Sequence, residues 1–336
     1  MATIVFFAHT TPENLQRAEF YKQDIDALQA LGHRVVLCTR YIDIPRAFDA
    51  MFIWWWSRAL FPVLLCRLLR KPCVITGTFN FRFPGHFSGT DYFRRPFWQR
   101  FLIRNAARLC SLNLFVSRLE LDECRAYFQL HNSAYLPHCL HDDYLQGPAS
   151  ARRNALFNLT WSGKHNLVRK GIPELLQAIR ILKERGVAVR LDLAGLEGDG
   201  LGALLDTIER LGLKDEVRHL GALSRKEKVR MLREHEIYVQ PSHFEGFGLA
   251  TLEAMGSGAC VVVCDVGAVK EVVGDCGLYT ARDSPEALAD VIQTALSDHH
   301  LRRRMQELAI HRARSLFTFD RKVDRLRTLL EEVGVE

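Results

Sequence analysis

The stretch "EIYVQPSHFEGFGLATLEAMGSGACVVVC", residues 236–264, gives the clearest indication of the fold class. An apolar strand-like run ends at Ser242, a loop with glycines follows, and an apolar helical run leads to a second strand-like run at 259–264. A strand, a helix and a strand in this order predict a βαβ unit with parallel strands. Gly246 and Gly248 open the helix, so they either place backbone N–H groups around an anion or serve only the turn.

The same alternation of strands and helices runs through the chain. In the first half, strand-like runs at 3–8, 34–39 and 73–76 alternate with helical ones, and in the second half strands are predicted at 156–163, 189–195, 236–242 and 259–264. The alternation predicts two α/β domains with parallel sheets that face each other across a cleft. The polar stretch "GPASARRNAL" places the domain boundary near 150.

Length and composition are those of a globular protein with two domains. The 336 residues are 48% hydrophobic and 25% charged, which excludes a disordered chain. The start, "MATIVFFAHT", predicts a buried strand rather than a secretory signal, and no segment is apolar enough to span a bilayer. The nine cysteines include no CxxC pair, so we interpret them as core thiols in a reducing cytoplasm rather than as zinc ligands.

Two further motifs follow strand ends in the second half. In "SGKHNLVRKG", Lys164 and Lys170 flank a short loop after Gly163, where two cations beside a helix N-terminus can clamp a diphosphate. The alternative is that both lysines are exposed to solvent and bind no ligand. The stretch "AGLEGDG" at 194–200 resembles a dinucleotide-binding loop only loosely, because it lacks the GxGxxG spacing.

Together these motifs resemble, in order and spacing, the C-terminal domain of retaining family 4 glycosyltransferases, which belong to the glycosyl transferases of group 1. The most specific part is a pair of glutamates separated by seven residues, Glu245 and Glu253. By position, the resemblance implies that Glu253 binds the nucleotide ribose, that Glu245 contacts the donor hexose and that Lys170 binds phosphate. Lys164 stands where an arginine is common and would act as a point charge.

The resemblance also implies an architecture, a donor site and a reaction. It predicts two Rossmann-like domains (GT-B): an acceptor domain at 1–150, a nucleotide-sugar domain at 151–317, and a helix at 318–336 that packs on the first domain. The implied catalytic residues are Lys170, Lys164, Glu245 and His9. The implied donor-binding residues are Gly163, Lys164, Lys170, Gly195, Arg218, Glu245, Gly246, Phe247, Gly248, Leu249 and Glu253.

No metal or cofactor is expected, because lysines and helix dipoles supply the charge. The only DxD-like stretch, Asp24 to Asp26, lies within a predicted helix and is a poor metal site. The donor is expected to be a UDP- or GDP-linked sugar, which is a substrate.

The N-terminal half departs from the family pattern. "AHTTPENLQRAEF" lacks the glycine-rich acceptor loop, and Thr78 stands where a catalytic-site histidine is usual. His9, at the end of the first strand, and His86 are the candidates to replace that histidine, while His138 and Cys139 stand in place of an asparagine and a glycine.

A basic and aromatic stretch lies in the same half. Between Phe79 and Arg118 there are seven arginines against one acid, Asp91. Such a surface suits an anionic membrane or a lipid-linked acceptor with phosphate groups. The alternatives are a solvated face over a core helix and a nucleic-acid groove, although no recognised nucleic-acid module accompanies the charge. The predicted acceptor or membrane residues are Arg82, Arg94, Arg95, Trp98, Arg100 and Arg104.

These observations predict a cytoplasmic enzyme, either free or peripheral at the inner face of the plasma membrane. The resemblance implies that it would transfer a hexose-type sugar, with retention, to a glycan or lipid-linked acceptor in the assembly of lipopolysaccharide, capsule or exopolysaccharide. Two alternatives remain open at this point: a sugar-nucleotide 2-epimerase of the same fold, and a non-catalytic partner that binds nucleotide sugar.

Overall fold

The computed structural model describes residues 1–79, 81 and 91–336. Arg82 and His86, two of the predicted site residues, lie outside the described residues. The chain divides into two compact units, the first formed by Met1–Cys139 with Phe317–Glu336 and the second by Leu140–Leu316. The sequence placed the first break at 150/151, in the loop that precedes the first strand of the second unit.

The first unit is built around one parallel sheet. Its strands are β1 (Thr3–Ala8), β2 (Arg34–Cys38), β3 (Ala50–Trp54), β4 (Cys73–Gly77), β5 (Leu112–Phe115) and β6 (Ser133–Tyr135). Its first helices are α1 (Pro12–Arg17), α2 (Glu19–Ala30), α3 (Leu60–Leu68), α4 (Phe97–Leu109) and α5 (Arg118–Phe128). The strand order is β2-β1-β3-β4-β5-β6. Strands β3 and β4 are buried along their whole length, as expected where helices cover both faces.

The second unit repeats this plan. Its strands are β7 (Arg153–Leu159), β8 (Leu191–Ala194), β9 (Val217–His219), β10 (His235–Gln240), β11 (Cys260–Cys264) and β12 (Leu278–Thr280). Its helices are α6 (Lys164–Arg169), α7 (Ile172–Glu184), α8 (Leu201–Arg210), α9 (Arg225–Glu234), α10 (Leu249–Gly256), α11 (Val269–Val273), α12 (Pro285–Ser297) and α13 (His299–Leu316). The strand order is β12-β11-β10-β7-β8-β9. Strands β10 and β11 pair in parallel across α10, so the predicted βαβ unit is confirmed.

The chain order reverses once in each sheet, between β1 and β3 in the first and between β7 and β10 in the second. Open parallel sheets bind ligands outside the carboxyl ends of the strands at such a reversal. In the first unit His9 follows β1 and Trp55 follows β3, and in the second Gly163 lies beyond β7 and the Glu245 loop follows β10.

The last helix, α14 (Phe319–Glu331), belongs to the first unit. Its apolar side chains Val323, Leu326, Leu329 and Leu330 enter the same core as the even-numbered residues of β1 and helix α2. The Nζ atom of Lys322 lies 2.8 Å from Oδ1 of Asp24, and both side chains are 2% exposed. Burial raises the pKa of Asp24 although Lys322 opposes the shift. The helix is therefore fixed to α2 by apolar packing and by a buried ion pair.

The cysteines lie where core thiols are expected. All nine are free, eight of them buried and Cys276 partly buried. Within the described ranges, no helix combines the length and the apolar character that crossing a membrane requires.

Candidate functional site

The loop after β10 is held by close backbone contacts. A Cβ atom on Gly171 would overlap the carbonyl of Pro241, and one on Gly267 would overlap the carbonyl of Glu245. Both glycines have positive φ, 66° and 52°, a region that other residues rarely adopt. The Ala268 N–H donates to the Glu245 carbonyl at 3.0 Å. These contacts fix the position of Glu245.

The Glu245 carboxylate is the centre of a buried charged cluster. The residue is 5% exposed, Lys170 Nζ lies 2.5 Å from its Oε1, and Ser242 Oγ donates to the same oxygen at 2.7 Å. Arg169 Nη1 lies 3.5 Å from Oε2. Burial by itself would raise the pKa of Glu245, but the charges of Lys170 and Arg169 outweigh it and lower that pKa. The carboxylate is therefore ionised at neutral pH.

Glu253 forms a second buried pair on α10. The residue is 3% exposed, and Lys228 Nζ of α9 lies 2.6 Å from its Oε1. Lys228 also lies 5.1 Å from the ring centroid of Tyr144. The carboxylate of this pair is buried and does not lie on the exposed surface of the helix. A carboxylate has about four acceptor positions, so one lysine does not exhaust it.

The amino end of α10 lies between the two glutamates in the sequence. Gly248 caps the helix with φ of 95°, and Gly246, Leu249 and Ala250 are partly exposed. Phe247 is 3% exposed, and its side chain belongs to the core. The first turn of this helix therefore offers backbone N–H groups, and Phe247 can reach a ligand only through its backbone.

The loops that follow β7 and β8 pack on each other. The Lys164 N–H donates to Asp199 Oδ1 at 2.9 Å, while the Lys164 residue is exposed. A Cβ on Gly195 would overlap the backbone of Thr160, and one on Gly198 would lie 2.8 Å from the Gly163 nitrogen. The glycines of 194–200 thus have a packing role, because they let the two loops approach each other closely.

Arg218 has an exposed side chain on β9 that pairs with an acid of the neighbouring strand β8. Its Nε and Nη2 lie 3.0 and 2.9 Å from the two oxygens of Asp192, which also contacts His235 Nε2 at 3.1 Å. Burial would raise the pKa of Asp192, but the hydrogen bonds from His235 and Arg218 lower it to about 2. The structure therefore gives the predicted donor-binding Arg218 a partner in β8. The next residue, His219, places Nε2 3.3 Å from Ser162 Oγ.

The predicted residues of the first unit are more dispersed. His9 is exposed at the end of β1, with its ring 6.2 Å from that of Tyr41. His138 is buried and stacks parallel to Trp54, and burial holds its pKa well below the usual value. Of the predicted arginines, Arg94 and Arg104 are exposed, whereas Arg95 and Arg100 are partly buried. Trp98 is exposed.

One group of possible metal ligands occurs among the described residues: Glu174, His243 and Asp283. The two nitrogens of His243 contact different carboxylates, since Nδ1 lies 2.9 Å from Asp283 Oδ1 and Nε2 lies 3.4 Å from Glu174 Oε2. Opposite edges of one imidazole do not converge on one ion. The geometry is that of a histidine that bridges two acids.

Three residues of the charged clusters were not among those predicted from the sequence: Arg169, Ser242 and Lys228. Arg169 and Ser242 lie beside predicted site residues in the sequence, so the motifs themselves could have indicated them. Lys228 lies in another helix from Glu253, and only the tertiary fold brings the two together.

Comparison with solved structures identifies the structural class. The structure of Anabaena Alr3699/HepE in complex with UDP and glucose matches this chain with a TM-score of 0.80. The match covers 98% of this chain and 100% of that chain at 18% sequence identity, so it establishes the fold. The predicted GT-B architecture is confirmed.

Residues 164–312 match the family Glycosyl transferases group 1. This match, over less than half of the chain, confirms the resemblance inferred from the motifs. O-antigen chain mannosyltransferase B of Escherichia coli is 33% identical over 148 residues, 42% of this chain and 39% of that protein. Alpha-D-kanosaminyltransferase of Streptomyces kanamyceticus is 26% identical over 297 residues, 83% of this chain and 75% of that protein. The chain therefore aligns with about two fifths of the first relative's length.

Proposed function

We propose that the protein is a retaining, metal-independent glycosyltransferase of family 4. It takes a hexose-type sugar from a UDP- or GDP-linked donor and transfers it to a glycan or lipid-linked acceptor. The observation that carries this proposal is the pair of buried glutamates, each bound to a lysine, on either side of the amino end of α10. A role in surface-glycan assembly is supported by the similarity to an O-antigen chain mannosyltransferase.

Transfer breaks the bond between the anomeric carbon and the donor diphosphate and forms a bond from that carbon to the acceptor oxygen. Lys170 and the N–H groups of α10 stabilise the negative charge that develops on the diphosphate, and Lys164 adds a second cation. The acceptor hydroxyl attacks the face that the diphosphate leaves, and its proton passes to a diphosphate oxygen. Glu245 and Glu253 accept hydrogen bonds from hydroxyl groups of the hexose and the ribose.

The donor site is tested by a thermal-shift panel of UDP, GDP, ADP and dTDP with their common sugar conjugates. Ligand at 100 times its dissociation constant adds about 2.7 kcal/mol of stability. The panel is run on the wild type, on Glu253→Ala and on Glu307→Ala, a control whose glutamate is exposed on α13. Because a charged hydrogen bond contributes roughly 1.5–3 kcal/mol, Glu253→Ala should weaken nucleotide binding about 10- to 100-fold. Equal dissociation constants in both variants would remove Glu253 from the site.

The two alternatives predict different products. A 2-epimerase converts the nucleotide sugar without an acceptor, so NMR of the incubated donor distinguishes it from a transferase. A non-catalytic partner binds nucleotide sugar and releases no nucleotide, and Thr78 in place of the usual histidine keeps this alternative open.

We further propose that the enzyme is cytoplasmic and that helices α3 and α4 hold the protein on an anionic membrane. Between Asp49 and Glu120 the only acid is Asp91, against eleven arginines and lysines. Helices α3 and α4 contact each other. The exposed large apolar residues on and beside them are Phe61, Leu64, Leu68, Leu69, Phe93, Phe97, Trp98 and Phe101. Apolar and basic side chains on adjacent helices, without acids, suit the interface of an anionic bilayer.

Co-sedimentation with liposomes of phosphatidylglycerol and phosphatidylcholine tests this surface. The wild type should bind at low salt, and the variant Trp98→Ala/Phe101→Ala should bind several-fold less, because both side chains are more than half exposed. The matched control is Leu205→Ala, an exposed apolar residue on α8 of the second unit. No binding of the wild type to these vesicles, or equal binding of all three proteins, would exclude the membrane surface.

A further inference from the structure

A cavity of about 200 Å³ opens at the carboxyl ends of β3 and β4 in the first unit. Among the described residues, its lining is half aromatic and includes one cation: Trp55, Trp56, Ser57, Thr78, Phe79, Tyr92, Arg95 and Ile103. It adjoins β3, one of the two strands at the reversal of this sheet, where parallel sheets bind ligands. Since a water molecule occupies roughly 30 Å³ of liquid, the cavity holds about six waters, the size of one small cyclic group.

Trp55 has an unusual conformation at this cavity. Its φ is 75°, a region that bulky residues occupy only when the surrounding structure imposes it. Its Nε1 donates to Tyr21 Oη at 2.7 Å. A Cβ on Gly77, which has φ of 139°, would lie 3.3 Å from Cε3 of the indole. The indole thus lies directly against the end of β4, and its orientation is fixed from two sides.

The other walls are also held in place. Trp56 Nε1 donates to Asn113 Oδ1 at 2.7 Å within the buried core, and the Phe79 N–H donates to Glu120 Oε2 at 2.8 Å. The rings of Trp56 and Phe79 have centroids 5.0 Å apart. A cavity whose walls are fixed before a ligand arrives binds that ligand with little loss of conformational entropy.

Arg95 supplies the charge of the cavity. It is partly buried, and burial lowers the pKa of its guanidinium while Asp91 opposes that shift. Gln99 Oε1 lies 3.4 Å from its Nη1. Arg94, its neighbour in the sequence, is exposed and does not line the cavity. A guanidinium is a planar donor that matches phosphate and carboxylate oxygens.

We propose that this cavity binds a sugar ring that carries an anionic group, a phosphate or a carboxylate, with the ring against Trp55 and the anionic group on Arg95. The proposal rests on the proposed function and deepens it, because it assigns the chemical class of the acceptor. The aromatic faces exclude water from the ring's C–H groups, and the single arginine selects for charge. Thr78 also lines the cavity, and a threonine hydroxyl can hydrogen-bond a sugar hydroxyl.

The test measures binding of three probes by saturation-transfer NMR and calorimetry: glucose 1-phosphate, glucuronate and glucose. The proteins are the wild type, Arg95→Ala, Trp55→Phe, Arg94→Ala and Lys170→Ala. At least one anionic probe should bind the wild type at least about tenfold more tightly than glucose does. Its affinity should fall at least about tenfold in Arg95→Ala and stay unchanged in Arg94→Ala and Lys170→Ala. Trp55→Phe should bind the same anionic probe more weakly than the wild type does, without losing the binding.

The outcomes distinguish the two classes of anionic acceptor, and they distinguish failure of the cavity proposal from failure of the donor-site proposal. Preference for glucose 1-phosphate assigns a phosphorylated acceptor, and preference for glucuronate assigns a uronic acid. Equal binding by Arg95→Ala and Arg94→Ala, no saturable binding of either anion, or loss in Lys170→Ala would overturn the proposal. The nucleotide thermal shift of Arg95→Ala is measured alongside. If Arg95→Ala and the wild type show the same thermal shift with nucleotide while the wild type binds neither anionic probe, the cavity proposal fails and the proposed donor site is unaffected.

Discussion

The carboxyl ends of the two sheets use different chemistry. In the second unit, two buried glutamates are each held by a lysine, and the backbone N–H groups of α10 lie beside them. In the first unit, the equivalent edge carries a cavity lined, among the described residues, by fixed aromatic rings and one arginine. A charged site is therefore specified by a few residues at set spacings, whereas an aromatic wall can be assembled from rings at many positions.

The largest expected effect concerns the buried charges of the first unit, which we interpret as structural. Lys322→Met should destabilise the protein by about 3–5 kcal/mol, because it leaves Asp24 buried without its partner. Chemical denaturation measures this loss. The double variant Asp24→Asn/Lys322→Met should recover most of it, because the amide oxygen is neutral and can still accept from Trp54 Nε1. A single variant as stable as the wild type would contradict the structural role.

The next effect concerns the charges of the second unit, which we assign to chemistry. Lys170→Ala should lower turnover at least about 100-fold, because it removes the cation that we propose stabilises the leaving diphosphate. Lys164→Ala, whose side chain is exposed, should lower turnover less. Transfer of radiolabelled sugar measures both rates. Wild-type turnover in Lys170→Ala would refute its role, and thermal denaturation of the variant checks that the fold persists.

The smallest effect concerns Asp192, a charged residue of the second unit that lies within the sheet. Its pKa falls from 3.8 to about 2 on folding. A depressed carboxyl pKa stabilises the fold above the unfolded value, and the gain is lost as pH falls through the folded value. Stability of the wild type should therefore decline between about pH 4 and 2 more steeply than that of Asp192→Asn. Urea titrations across this range compare the slopes, and parallel curves would exclude the contribution.

The sequence was sufficient for features encoded by neighbouring residues. The βαβ unit around α10 and the positions of Glu245, Glu253 and Lys170 all follow from short motifs, because the strand end and the helix start lie within a few residues. Features that depend on tertiary packing could not be predicted in this way. The contact of Lys228 with Glu253 joins two helices, and the turn of Arg95 toward a cavity while Arg94 stays exposed has no pattern in "FRRPF".

The position of α14 has a consequence for biosynthesis. Residues 140–316 form a continuous unit, whereas the first unit needs both the start of the described chain and the helix at 319–331. Because the chain is made from its N-terminus at roughly 5–20 residues per second, the ribosome completes the whole second unit before α14 emerges. During that interval the apolar face of α2 lacks its contacts with Leu326 and Leu329, and the Asp24 carboxylate lacks its ion pair with Lys322. The half of the protein made first is therefore the half that finishes folding last.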